Sequence, residues 1–369
     1  MCRSNPRRVH PRLTCDGPDS LPLTRNSPKG DSAVESLLAE YRDLTLTRLL
    51  AGIPTGTPPG LYELIRSYPS RSSKGLRAAL CLATCAALGG DVAKALNSAV
   101  AIELAHNAFL IMDDVQDGSE LRRGAATLPA EYGLGVAVNV GNATNLLALQ
   151  QLMANRWILG PSLAWAVLQD SFEMMRQTLE GQAIEVGWIR NNACDLVDDD
   201  YYRMCMKKSS WYTCIHPCRV GALIAEGQRE AFTRFDRYGC YLGAAFQIQD
   251  DLLNLTGRFS RYGKEIAGDL WEGKRTLVLI EYMRSCSPDE RQRMEFFLGK
   301  TRGERAESDV RWVRDRLIES GCVDIVRARA QRLAEEACAE AVQAFSDVPE
   351  TRDKRFLIEL PFYMVERDS

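Results

Sequence analysis

A helical pattern of apolar residues fills the stretch from Asp91 to Asp114, DVAKALNSAVAIELAHNAFLIMDD. Asp91 is suited to begin this helix, because its carboxylate can accept hydrogen bonds from the first backbone N–H groups. Alternating strand patterns are scarce elsewhere in the chain, so the sequence predicts an all-α protein. Further segments with the helical period lie at residues 33–52, 76–90, 310–321 and 325–345.

The first 32 residues differ from the rest of the chain. They contain five prolines among Arg, Ser and Asp, and apolar residues show almost no periodicity. Such a segment cannot bury enough apolar surface to offset the entropy of ordering. We therefore predict a disordered tail over residues 1–32 and one helical domain over residues 33–369.

The overall composition is that of a globular protein, with 46% hydrophobic and 26% charged residues. The 46 basic and 49 acidic side chains give a net charge of −3, so no global positive field favours nucleic acid as a partner. We see no run of about 20 apolar residues that predicts a transmembrane segment, and the first residues lack the apolar core of a secretory signal. We expect a cytoplasmic protein.

Twelve cysteines are scattered along a chain without a secretion signal, which favours reduced thiols over disulfides. The group with metal-ligand spacing is Cys214, His216 and Cys218. Pro217 interrupts it, and no second Cys/His pair lies at zinc-finger spacing. We favour buried thiols that pack as small apolar side chains over a zinc site.

Three carboxylates stand at the polar end of the apolar stretch: Asp113, Asp114 and Asp117 of the motif DDVQD, here called the first aspartate cluster. In a helix, Asp113 and Asp117 lie one above the other on the same face. Carboxylates crowded in this way repel one another unless a cation lies between them. Mg²⁺ typically takes one or two carboxylates together with substrate phosphates. For this motif alone, a solvated acidic helix end remains the alternative.

A second aspartate cluster, Asp250, Asp251 and Asn254, repeats the same i, i+1, i+4 spacing after the apolar run that begins FQIQ. Two such clusters can face each other across a helical bundle and hold metal ions between them. Three lysines accompany the clusters along the chain, namely Lys208, Lys264 and Lys274. Metal-binding carboxylates together with lysines predict a site for a diphosphate.

The ordered series of motifs resembles that of the trans-isoprenyl diphosphate synthases, or polyprenyl synthase family, most closely the short-chain geranylgeranyl and farnesyl diphosphate synthases. The resemblance implies an all-α isoprenoid synthase-type helical bundle around a central apolar cavity, and a homodimer. It also implies a magnesium-dependent prenyltransferase that condenses isopentenyl diphosphate with an allylic diphosphate. The matching motifs are KGLR at 74–77, ELAH at 103–106, DDVQD at 113–117, RRG at 122–124, GQ at 181–182, KS at 208–209, FQIQDD at 246–251 and GDLWEGKRTL at 268–277.

The resemblance also implies a role for each matching residue. Three Mg²⁺ ions would be bound chiefly by Asp113, Asp117 and Asp250, with Asp114, Asp251 and Asn254 beside the ions or their waters. The allylic diphosphate would be held by Arg122, Lys208 and Lys264, with Ser209 and Lys274 nearby. The metal-free isopentenyl diphosphate would be gripped by Lys74, Arg77, His106 and Arg123, with Arg367 on the same side. The junction between the two substrates would be lined by Phe246 and Gln247.

Two other functions compete with chain elongation. A class I terpene cyclase on the same fold needs only the allylic pocket, so it has no use for Lys74, Arg77, His106 and Arg123. A non-catalytic partner subunit has no use for intact aspartates. The presence of both sets favours the elongating synthase.

Product length is expected to depend on two residues of the helix that leads into Asp113. Phe109 and Ala108, four and five positions earlier, lie on or near the metal-facing side below the ligands. Farnesyl-making relatives of animal type carry two bulky aromatic residues there, whereas this chain has alanine at the deeper position. We therefore expect elongation to stop mainly at geranylgeranyl diphosphate. The alternative is that Ala108 packs against a neighbouring helix and that Trp211 or Tyr212 sets the limit.

Overall fold

The computed structural model describes residues 33–58, 60–71, 73–227, 233–257 and 267–366. Within these ranges the chain is almost entirely helical, which confirms the predicted all-α fold. The strands of this part form one antiparallel hairpin, β1 Leu121–Arg122 and β2 Ala125–Ala126. The predicted tail, Lys264 and Arg367 lie outside the described residues, so those assignments stay predictions.

The helices are numbered in chain order. They are α1 Ala33–Gly52, α2 Leu61–Ser70, α3 Leu76–Ala87, α4 Val92–Asp117, α5 Leu128–Tyr132, α6 Leu134–Ala154, α7 Arg156–Leu159, α8 Pro161–Arg190, α9 Asp198–Cys205, α10 His216–Glu226, α11 Asp236–Thr256, α12 Gly268–Glu272, α13 Leu277–Ser285, α14 Pro288–Leu298, α15 Glu307–Glu319, α16 Cys322–Ala344 and α17 Arg352–Glu366. A π-helix, Met206–Ile215, joins α9 to α10, and a short 3₁₀-helix spans Arg302–Glu304.

Helix α4 carries the first aspartate cluster at its carboxyl end. It begins as the sequence predicts, with Asp91 Oδ1 accepting the Ala93 N–H at 2.9 Å. It ends after Asp117, at Gly118, which has a left-handed backbone with φ of 61°. The aspartates therefore lie beside the negative end of the helix dipole, where carboxylates are unfavourable and cations are favoured.

The centre of the bundle is built around α3 and α4. Every residue of α3 except Ala86 is buried, because α1, α4, α10 and α17 surround it. Helix α4 also packs against α6, with Leu104 and Ile111 in one apolar cluster with Val140. The motifs KGLR and DDVQD at the ends of α3 and α4 are thus attached to helices of the bundle core.

The π-helix lies between α8 and α11 at backbone contact distance. A Cβ added to Gly181 of α8 would be 2.2 Å from the backbone nitrogen of Lys208, and one added to Gly243 of α11 would be 2.5 Å from Ser210 Cα. Only glycine permits so close an approach on both sides. The GQ motif therefore determines where Lys208 can lie.

Among the described helices, α4 is the one that is long and apolar enough to cross a membrane by length and composition alone. The sequence predicts no such segment. The apolar window of α4 is 78% buried inside the protein, as is typical of a core helix.

All ten cysteines in the described part are free thiols, as expected. Cys214 and Cys218 belong to the apolar core, and burial raises the pKa of both thiols. His216 Nδ1 lies 2.7 Å from an Asp170 carboxylate oxygen and is committed to that bond. This geometry favours buried thiols over the zinc site.

Candidate active site

One cavity of about 380 Å³ collects most of the residues that the sequence predicts to bind diphosphate. Charged and polar side chains form most of its wall, and apolar side chains form the smaller part. The resemblance had implied a cavity that is mainly apolar. The predicted residues that line it are Lys74, Arg77, His106, Asp113, Arg122, Arg123, Lys208, Ser209, Phe246, Gln247, Asp250, Asp251 and Lys274.

The three carboxylates of the first aspartate cluster have different surroundings. Asp113 lines the cavity. Asp114 is fully buried and accepts two hydrogen bonds at 2.5 Å, from Tyr68 Oη and from Arg122 Nε. Burial and the neighbouring Asp113 carboxylate raise the pKa of Asp117 to about 8. Asp114 therefore positions Arg122, whereas Asp113 is the carboxylate of this cluster that lines the cavity.

The RRG motif forms the turn of the hairpin between β1 and β2. Arg123 and Gly124 both have positive φ angles, 53° and 76°, as a type I′ two-residue turn requires. Arg71 secures the hairpin by donating to the Arg122 carbonyl at 3.2 Å and to the Ala126 carbonyl at 2.8 Å. The turn orients Arg122 toward the first aspartate cluster and Arg123 toward His106.

In the second aspartate cluster, Asp251 accepts hydrogen bonds from Tyr201 Oη at 2.8 Å and from Gln247 Nε2 at 2.7 Å. Gln247 in turn accepts from Ser209 Oγ at 2.6 Å. Burial and the Asp269 carboxylate hold the pKa of Asp251 well above its usual range. Asp251 is thus surrounded by neutral donors, whereas Asp114 faces a guanidinium.

Asn254 does not line the cavity. Its amide oxygen accepts the backbone N–H of Asp269 at 3.1 Å and so fixes the first turn of α12. Asp269 lines the cavity in its place. The predicted contact of Asn254 with a metal ion is not part of this geometry.

Two partly buried lysines link the carboxylates on the cavity wall. Lys208 Nζ is bonded to Glu185 and lies 3.6 Å from Asp113. Lys274 Nζ lies 2.8 Å from Asp117 and 3.6 Å from Asp269. Burial acts to lower the pKa of both lysines, but the surrounding carboxylates outweigh it and raise each pKa, so both stay protonated.

The donor set of the cavity is compatible with a hard divalent cation. Within the described ranges, no three carboxylate, imidazole or thiol side chains are grouped tightly enough to enclose a metal ion by themselves. A metal ion here would therefore need ligands from its substrate, which is how Mg²⁺ is commonly bound. Asp113 and Asp250 both line the cavity and supply the carboxylates for such a shared site.

Three of the residues predicted to bind the second diphosphate, Arg77, His106 and Arg123, contact one another on the cavity wall. Arg77 Nη1 and Arg123 Nη2 are 3.3 and 3.4 Å from His106 Nε2, and Arg77 Nη2 donates to Thr213 Oγ1 at 2.9 Å. Burial and these guanidinium groups hold the pKa of His106 well below its usual range. His106 is therefore a neutral acceptor that orients two arginines. Burial lowers the pKa of Arg123 to about 10, which leaves it charged at neutral pH.

Sequence reasoning missed several cavity residues. Glu103, in the ELAH motif, accepts the backbone N–H of Ala78 at 3.2 Å and so supports the first turn of α3. Its position three residues before His106, on nearly the same helix face, was the available signal. Nothing in the spacing pointed to Tyr68 or Tyr201.

The two predicted chain-length residues lie outside the cavity lining. The Phe109 ring meets the Tyr212 ring edge-on, with centroids 5.6 Å apart, and Tyr212 lines the cavity. Ala108 is buried and shares its helix face with Leu104 and Ile111, which pack in the cluster with α6. The role of Ala108 as the floor of the pocket stays a prediction.

Comparisons with known proteins identify one family. The family model described as "Polyprenyl synthetase" matches residues 58–316. The geranylgeranyl pyrophosphate synthase of Geoglobus acetivorans is 29% identical over 84% of this chain and 92% of its own length. The octaprenyl diphosphate synthase of Escherichia coli is also 29% identical, over 81% of this chain and 87% of its own.

A solved structure has the same overall fold. The polyprenyl synthase from Caulobacter crescentus, crystallised with calcium and isoprenyl diphosphate, matches with a TM-score of 0.81 and 27% identity. The match covers 93% of this chain and 100% of that one. These relatives carry names for different product lengths.

Proposed function

Because this chain belongs to the polyprenyl synthetase family, we propose that it condenses isopentenyl diphosphate with an allylic diphosphate and releases geranylgeranyl diphosphate. The observation that carries this proposal is the presence of two separate groups of cations in one cavity. Arg122, Lys208 and Lys274 lie among aspartates. Arg77 and Arg123 line the same cavity and converge on the His106 ring, with Lys74 also in the lining. One group suits a metal-bound diphosphate and the other a metal-free diphosphate.

The proposed cofactor is a divalent cation, Mg²⁺, with three ions in each site. Asp113, Asp117 and Asp250 would hold the ions, and their hard oxygen atoms match that choice. When bound, the ions neutralise charge on the departing diphosphate. The calcium in the Caulobacter structure supports a divalent cation.

The protein's own groups orient the reactants. Arg122, fixed by Asp114, and Lys208, fixed by Glu185, would stabilise the negative charge that develops as the allylic C–O bond breaks. Arg77 and Arg123, oriented by His106, would hold isopentenyl diphosphate so that its double bond attacks the allylic carbon. The proton lost from the new C–C bonded product would go to the departing diphosphate, whose oxygen atoms carry the negative charge released as the allylic C–O bond breaks.

The proposed assembly is a homodimer of this chain. On α8, four apolar residues recur at seven-residue intervals and are 57%, 51%, 61% and 40% exposed, namely Trp165, Phe172, Leu179 and Val186. Leu146 and Met153 of α6 continue the exposed apolar surface. So regular a stripe is typical of a helix face that packs against another helix. Light scattering should give twice the monomer mass, and Phe172→Glu should reduce it to one.

A single experiment tests the proposed reaction against the terpene cyclase. Purified protein with Mg²⁺ receives an allylic diphosphate alone, or the same compound with isopentenyl diphosphate. We expect longer prenyl diphosphates only when both substrates are present. A hydrocarbon or cyclic alcohol formed from the allylic diphosphate alone would replace this proposal with the cyclase. The cytoplasmic location stays a prediction from the sequence.

A further inference from the structure

Three helices, α8, the π-helix and α11, lead from the charged cavity to one apolar cluster, Met174, Trp211, Ile215 and Cys240, here called the tail-end cluster. On α8, Met174 lies three turns before Glu185, which holds Lys208. On α11, Cys240 lies two turns before Gln247. At 1.5 Å per residue these intervals correspond to about 16 Å and about 10 Å. A chain attached to a diphosphate in the cavity would reach this cluster as it lengthened.

Phe109 and Tyr212 stand between the cavity and the tail-end cluster. Phe109 is half-buried and packs against the cluster, and its ring meets only the edge of Tyr212. A half-buried ring with two rotatable side-chain bonds can turn aside at modest cost. Phe109 is therefore a barrier that a growing chain can displace.

Trp211 is held far more firmly. The Arg219 guanidinium lies over its indole ring, 4.6 Å from the ring centroid. Arg219 donates two hydrogen bonds of 2.6 Å to Asp236 and one of 3.0 Å to Asp170. Asp170 also binds His216 at 2.7 Å. This ionic network joins α8, α10 and α11 beneath the π-helix.

An apolar chain cannot displace such a network. Arg219, Asp170 and His216 are each more than nine-tenths buried. Separating any of them from its partners would leave a charge in an apolar surrounding without compensation. The growing chain therefore meets a fixed end at Trp211, whatever happens at Phe109.

We infer that Trp211, braced by Arg219, sets the maximum length of the product. This inference rests on the proposed function, because it concerns the chain that the proposed reaction lengthens. It assigns the limit to the π-helix instead of to Ala108 on α4. The diphosphate contacts are unaffected by the inference, since Trp211 does not line the cavity.

The test measures product length by chromatography of the dephosphorylated products. We expect Trp211→Ala to lengthen the main product by at least one isoprene unit and Trp211→Phe to produce a smaller shift. Phe109→Ala alone should lengthen it by one unit at most, because Trp211 remains. Phe109→Ala with Trp211→Ala should give the longest products. Arg219→Lys, which keeps the charge and loses the planar stack, should broaden the distribution.

Trp312→Ala is the matched control, because Arg293 lies over that ring at 3.7 Å in the same kind of stack. It should leave product length unchanged. Unchanged products from soluble, active Trp211→Phe and Trp211→Ala would overturn the inference, as would a shift to farnesyl diphosphate in Ala108→Phe with no response at Trp211. If Trp211→Ala does not fold, the product lengths of Trp211→Phe and Arg219→Lys test the inference. Absence of any condensation by the unmodified protein would instead reject the proposed function.

Discussion

The two aspartate clusters have the same spacing along the chain but different surroundings in the structure. In both, the second aspartate is turned away from solvent toward a buried tyrosine, Asp114 toward Tyr68 and Asp251 toward Tyr201. Asp114 also binds a guanidinium, whereas Asp251 binds an amide. Equal spacing therefore places carboxylates equally on a helix, but the neighbouring elements decide which groups each carboxylate binds.

The residues at the fifth position of the two clusters also have different surroundings. Asp117 lies 2.8 Å from a lysine amino group. Asn254 accepts a backbone hydrogen bond from Asp269 and holds the first turn of α12. The last residue of the first cluster is thus a carboxylate paired with a lysine, while the last residue of the second cluster positions another carboxylate.

The largest effect is expected from the first aspartate of each cluster. Asp113→Asn and Asp250→Asn should each lower turnover by about a thousandfold or more, because each removes a carboxylate that the proposed site needs for metal. Circular dichroism should show an unchanged helical fold. Near-normal turnover in either variant would contradict the shared metal site.

The second aspartates should differ in their effect on stability. Asp114→Asn should lower the free energy of unfolding by about 3 kcal/mol, because it leaves the Arg122 guanidinium buried beside a neutral group. Asp251→Asn should cost only about 1 kcal/mol, because an amide still accepts hydrogen bonds from neutral donors. Urea denaturation of both variants measures the difference. Equal losses of unfolding free energy in the two variants would show that the different surroundings of Asp114 and Asp251 do not affect stability.

A change outside both clusters should affect only the second substrate. Arg77→Ala or His106→Ala should raise the KM for isopentenyl diphosphate roughly ten- to a hundredfold, equivalent to about 1.5–3 kcal/mol for a lost charged contact. The KM for the allylic substrate and the dependence on Mg²⁺ should change little. Steady-state kinetics with each substrate varied in turn provide the measurement. Parallel increases for both substrates would show that this wall is not a separate diphosphate site.

The smallest effect is expected from the two tyrosines. Tyr68→Phe and Tyr201→Phe each remove one hydroxyl donor from a buried carboxyl group and should cost about 1 kcal/mol of unfolding free energy. Tyr68→Phe should also shift the KM of the allylic substrate, since Asp114 positions Arg122. Tyr282→Phe serves as a control for the same substitution at another buried tyrosine, one that shares the apolar cluster of Tyr201. A loss confined to stability in both variants would limit the tyrosines to a structural role.

Helical periodicity was sufficient to predict much of the molecule. It predicted α4, its cap at Asp91 and the carboxylates at its end, because these depend on neighbours within one helix. The resemblance added the two cation groups, which the structure brings into one cavity. These features follow from local spacing and from motif order.

Other features depend on contacts between distant segments, which spacing does not record. Asp114 points inward because Tyr68, 46 positions earlier, donates to it. The pKa of His106 is lowered because the ring is buried and because two arginines from other elements converge on it. The ionic network beneath Trp211 joins three helices, and no single motif contains it. Such charge assignments require the tertiary structure.

The wide turn of the π-helix has a consequence for insertions and deletions. Deletion of one residue from the π-helix would restore α-helical turns. Because each residue of an α-helix adds about 100° of rotation, the side chains after the deletion would be rotated by about that angle. Lys208, Ser209 and Tyr212 would then leave the cavity wall together. Among random one-codon deletions, those at Met206–Ile215 should be far less tolerated than those in the exposed turn between α14 and α15. The length of this one helix is thus as constrained as the identity of its residues.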